Sequence, residues 1–89
     1  MIREMLRQAV RTSSPLGADV AFDDATPILA QGIIDSLGIF SVMTELETRL
    51  NCTFPPEELV AENFQSIEVM DKMVQRLIKS GLIAEEAVR

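Results

Sequence analysis

Apolar residues recur with a helical period at the start of the chain, where Ile2, Met5, Leu6, Ala9 and Val10 fall on one stripe. That spacing predicts an amphipathic helix, and Thr12-Ser13-Ser14-Pro15-Leu16-Gly17 ends it with cap residues, a proline and a glycine. From Ala18 to Ile34 no period is sustained. A connection that long is uncommon in a small domain and is often functional. Its scattered apolar residues (Val20, Phe22, Ile28, Leu29, Ile33 and Ile34) predict that it packs on the core. A second helix is predicted from about Ser36 to Leu50, with Asp35 or Ser36 as its side-chain cap and Asn51 as its stop. Cys52 and Phe54 then alternate inward, and Pro55-Pro56-Glu57-Glu58-Leu59 opens a short third helix that ends by Asn63. The last helix takes Ser66 as its cap and carries Ile67, Met70, Met73, Val74, Leu77 and Ile78 on one stripe, closing at Ser80-Gly81. Residues 82–89 either add a turn of helix or fray. No strand pattern of comparable strength and no internal repeat is present. The expected fold is all-α: four helices in one domain over residues 1–89, its core within about 2–80, with a long loop between helices one and two.

The second helix is the most legible. At about 100° per residue, Ile39, Val42, Met43, Leu46 and Leu50 share one arc, the predicted packing face. Measured from that arc, Ser36 lies about 60° away, Glu47 about 80°, Phe40 about 100°, Thr44 about 140° and Leu37 about 160°. Leu37 therefore points away from the core, and leaving it wet forgoes about 1.5 to 3 kcal/mol of burial. With Phe40 on the same flank, it suggests a docking surface rather than a stray exposed leucine.

Composition narrows the chemistry. A length of 89 residues with 47% apolar content is one small domain, too small to enclose a deep catalytic cleft. The net charge of −6 opposes binding to nucleic acid or anionic lipid. Runs such as Glu57, Glu58, Glu62, Glu68 and Asp71, and the cluster Arg3, Arg7 and Arg11, read as solvated helix faces. There is no histidine, which excludes imidazole as acid, base or metal ligand, and the single cysteine, Cys52, excludes an internal disulfide and reads as a structural thiol. No segment has the apolar length of a secretory signal or membrane span, so a cytoplasmic monomer with no metal site is expected. A start at Met1 and a single domain suggest a discrete protein.

Asp35-Ser36 alone would be explained as a helix cap. The ordered set is more specific: Thr26-Pro27-Ile28-Leu29 in the loop, Gly32-Ile33-Ile34-Asp35-Ser36-Leu37-Gly38 at the helix start, Leu46-Glu47 within the helix, Phe54-Pro55 after it and Glu62-Asn63-Phe64 before the last helix. Through these residues the chain resembles the acyl and peptidyl carrier proteins of fatty acid, polyketide and nonribosomal peptide synthesis, over roughly residues 2–80. The resemblance implies a four-helix bundle of the acyl-carrier type. It implies that Ser36 receives 4'-phosphopantetheine from coenzyme A through a phosphopantetheinyl transferase, and that the arm's thiol carries an acyl or aminoacyl group as a thioester. An adenylating ligase or acyltransferase would load that group and downstream biosynthetic enzymes would consume it, the carrier catalysing nothing itself.

Asp35 reads as a cap and as recognition for the modifying enzyme; Leu37, Phe40, Thr44 and Glu47 are the further partner-binding candidates. Fatty-acid carriers have an acidic second helix, whereas here Gly38, Ile39, Phe40 and Ser41 follow the serine. The motif is closer in style to discrete peptidyl or D-alanyl carriers of a specialised or cell-wall pathway. A cargo that folded back would lie beside Met43, Leu46 and Leu59, and a large apolar void there would favour a fatty or polyketide group. The competing reading is an unmodified helical interaction module with a carrier-like fold.

Overall fold

The stripe on the first helix is buried as its period requires: Leu6, Ala9 and Val10 have no exposed surface, while Ile2 and Met5 pack at the margin. A computed structural model describes residues 2–88, and among them it places three α-helices and no strand. These are α1 (Ile2–Ser13), α2 (Ser36–Leu50) and α3 (Ile67–Lys79). Short 3-10 turns occupy Pro56–Glu58, Ala61–Phe64 and Glu85–Val88. The radius of gyration is 12.1 Å, matching the ~12 Å of a compact chain of this length.

Both later α-helices begin and end where the sequence places them. Ser66 caps α3, its hydroxyl accepting the Val69 N–H at 3.2 Å. Asn51 closes α2 in the left-handed conformation (φ 51°), a backbone state that asparagine tolerates better than most residues. Ile67, Met70, Met73, Val74 and Leu77 of α3 and Val42, Leu46 and Leu50 of α2 belong to a single core with the α1 stripe.

The expected short third helix is not an α-helix. Residues 56–64 form two 3-10 turns parted by Leu59 and Val60, so the four-helix expectation is corrected to three α-helices and a turn pair. The cause is local. The Glu58 and Leu59 N–H groups donate back three residues to Pro55 and Pro56, and the Asn63 amide donates to the Glu58 carbonyl at 2.8 Å. A side chain thereby takes a carbonyl that a continuing helix would use. Val60 then runs extended (ψ 149°). Beyond α3 the tail does not fray over its described length: Ile83 is buried, and Glu85–Val88 packs against α2. Arg89 lies outside the described residues.

The loop from Ser14 to Asp35 is held at several points. The Ile28 N–H donates to the Gln65 carbonyl at 2.9 Å, and the Glu68 N–H donates to the Asp24 carbonyl at 3.0 Å. Ile28, Ile33 and Ile34 are buried, as their apolar character predicts. Asp24 also ties the loop to α1: Arg7 grips its carboxylate with two N–H bonds of 2.7 and 2.8 Å, and Arg3 reaches both Asp24 (3.2 Å) and Asp71 (2.7 Å). Arg3, Arg7 and Asp71 are thus cross-links rather than merely solvated faces.

Those guanidiniums, Arg7 foremost, lower the Asp24 carboxyl to about 2. A depressed carboxylate contributes stability that is fully present above its ordinary pKa and lost as pH falls through the folded value. The stability gap between the parent chain and Asp24→Asn is therefore expected to be constant near neutrality and to close between about pH 4 and pH 2, as read by urea unfolding across pH.

Candidate functional site

At the start of α2 the two cap candidates divide their roles. Asp35 is the cap: its backbone is extended and its Oδ1 accepts the Gly38 N–H at 2.8 Å, while its carbonyl accepts the Ile39 N–H at 2.9 Å. Ser36 is the first helical residue, exposed, and among the described residues nothing hydrogen-bonds its hydroxyl. The N–H groups of Ser36 and Leu37 likewise find no acceptor in the described chain. Open donors at the positive end of a helix dipole favour an anion on the adjacent side chain.

The serine's position is well anchored. Ile33 and Ile34, just ahead of it, are buried; the Ile34 N–H donates to the Ile28 carbonyl, and the Ser14 hydroxyl donates to the Ile33 carbonyl. Gly38 allows the closest approach. A Cβ there would clash with the Ile34 side chain and lie 3.0 Å from the Ser13 carbonyl oxygen, so only glycine lets α2 start against the end of α1.

The flank read from the helical wheel is largely solvent-facing. Leu37 is 78% exposed and Phe40 65%, so neither the loop nor the 55–64 segment covers them. Asp35 and Thr44 are exposed as well, the Thr44 hydroxyl donating to the Phe40 carbonyl at 3.0 Å. Glu47 is placed differently: half-buried, its carboxylate accepts the Phe54 N–H at 2.8 Å and anchors the chain after α2. Glu45, the other acid of α2, pairs with Arg49 at 3.0 Å. Cys52 is half-buried, and burial together with the nearby Glu47 charge raises its thiol pKa, as suits a packing residue.

Ser36 stands at the rim of an apolar hollow of about 160 Å³. Ile39, Phe40 and Met43 form its α2 side, Leu29 comes from the loop, and Leu59, Val60 and Ala61 close the far side. One expectation is corrected here: Leu46 does not line this hollow, because it is wholly buried in the core. Met43 packs against the core and also lines the hollow with Leu59, as expected. A second, open depression of about 420 Å³ continues past Leu29 and Ala61 to Pro27, Ala30, Glu62 and Gln65. Leu29, Val60 and Ala61 were not singled out from sequence as site residues. Exposed apolar residues beside a proline-rich turn were the available signal.

Among the described residues no helix is long and apolar enough to cross a membrane. Compared with models of known protein families and with curated protein sequences, the chain has no significant match.

Proposed function

We propose that this chain is a carrier protein whose Ser36 bears a 4'-phosphopantetheine arm and presents an acyl or aminoacyl thioester to partner enzymes. The observation that carries the reading is the state of Ser36: an exposed, unbonded hydroxyl at the first position of α2, relieved of capping by Asp35 and set beside an apolar hollow. In attachment, the serine Oγ attacks the pantetheine-bearing phosphorus of coenzyme A's pyrophosphate, the bond from that phosphorus to the bridging oxygen breaks, adenosine 3',5'-bisphosphate leaves, and the hydroxyl proton passes to a base. The transferase would supply the base; this chain supplies the hydroxyl and a helix start that favours the resulting phosphodiester.

A tethered arm explains usefulness without catalysis, because each later step becomes a local encounter at high effective concentration. An α2 surface offering Leu37 and Phe40 rather than free acids supports a carrier of the peptidyl or D-alanyl style over a general fatty-acid carrier.

The deciding measurement is intact mass after incubation with coenzyme A and a broad-specificity transferase. One added arm is expected, and a folded sample that gains no mass with any transferase overturns the reading. The docking surface has its own test. Leu37→Ala and Phe40→Ala remove exposed side chains, so stability should stay within about 0.5 kcal/mol of the parent. If these side chains anchor partners, kcat/KM for arm attachment or cargo loading should fall about tenfold or more.

A further inference from the structure

The two hollows adjoin along Leu29 and Ala61, which line both, and together they form a groove-like surface with Ser36 on one hollow and Glu62 on the other. Its walls are mainly apolar. Of the described residues that line it, only Glu62 carries a charge. Two acids of the flanking segments are engaged elsewhere: Glu58 holds Arg76 at 2.9 Å and the Asn63 amide at 3.0 Å, and Asp35 caps α2. Glu62 has neither an ion pair nor a hydrogen bond from its side chain within the described chain.

We propose that Glu62 is a specificity residue that receives the ammonium group of an amine-bearing cargo, such as an aminoacyl group, when the arm lies along this groove. The inference rests on the carrier reading and narrows its cargo. Charge decides among the candidates. A cargo ending in a carboxylate would meet Glu62 as a like charge with no cation on the groove to offset it, and a plain alkyl group would gain nothing from it. An ammonium gains an opposite charge, an attraction on the scale of an exposed ion pair because Glu62 is solvent-facing. Glu62 touches the cargo rather than the reacting thioester, so its effect is on where the cargo rests and not on bond making.

The test uses two coenzyme A analogues with an amide in place of the thioester, one carrying alanyl and one propionyl, each attached to Ser36 by a transferase. They match in size and differ in the amine. Alanyl loading is expected to shift the backbone amide resonances of residues 61–65 and to raise the alanyl ammonium pKa by about 0.5, the scale of an exposed ion pair. Propionyl loading should leave residues 61–65 unshifted, and Glu62→Gln should abolish the alanyl effect while leaving arm attachment intact. Equal shifts for both cargoes, or an alanyl effect that survives Glu62→Gln, overturns the proposal. So does a Glu62→Gln variant that slows partner reactions equally for both cargoes, which would assign the carboxylate to a partner's cation. If no arm attaches at all, the carrier reading fails separately. Free alanyl-pantetheine amide titrated into the unmodified chain then decides the subsite: shifts at 61–65 removed by Glu62→Gln uphold it, and their absence ends it.

Discussion

Ser36→Ala is expected to fold like the parent chain and to accept no arm at all. Both halves follow from the division of labour at the start of α2. The helix cap is the Asp35 carboxylate on the Gly38 N–H, and the Ser36 hydroxyl makes no bond within the described chain, so removing it breaks nothing. Alanine is also a good helix former at an exposed position, which keeps the change in stability within about 0.5 kcal/mol. Asp35→Ala is the contrasting variant. It removes the cap and should cost about 1 kcal/mol, since a cap substitution of this kind typically costs 0.5 to 2 kcal/mol. Urea unfolding and intact mass, applied to both variants, separate the roles. A Ser36→Ala protein that still gains the arm would move the attachment point elsewhere and sink the assignment.

Phe64→Ala should be the most damaging single truncation near the site, lowering stability by about 3 to 5 kcal/mol. Phe64 is the largest of the fully buried side chains and lies on the 3-10 turn Ala61–Phe64. A chain of this length has a total stability of roughly 4 to 13 kcal/mol, so the variant should be partly unfolded under mild conditions. The consequence reaches the groove, because Ala61 and Glu62 belong to the same turn. Loss should therefore show first as faster amide exchange over residues 61–66 and then as a lower urea midpoint. A loss below about 1 kcal/mol would mean that the turn collapses onto the cavity at little cost, and that Phe64 does not hold the groove wall.

The helices were legible because their causes are local. Periodic apolar residues, a serine or aspartate ahead of them and an asparagine or glycine behind them lie within a few residues of one another, and α2 and α3 run as those signals predict. The 55–64 segment departs from its sequence signals for a reason that is also local but finer: Pro55-Pro56 and the acids after it are signals of an α-helix start, yet the Asn63 amide captures the Glu58 carbonyl and Val60 extends the chain. The outward turn of Leu37 and Phe40 followed from the wheel. What hid Glu47 was its partner, since the Phe54 N–H that occupies it lies beyond the end of α2 and no helical wheel can reach it.

The sequence by itself determined the all-helical class, the start and end of α2, the exposed serine at that start and the apolar flank beside it. Each depends on contacts a turn or so apart along the chain. Tertiary structure alone decided how the loop is pinned by Asp24 and Ile28, why Gly38 must be glycine and which residues form a groove from Ser36 to Glu62. Those features join residues tens of positions apart, so they exist only once burial of the shared core has brought α1, α2, the loop and the 55–66 segment together.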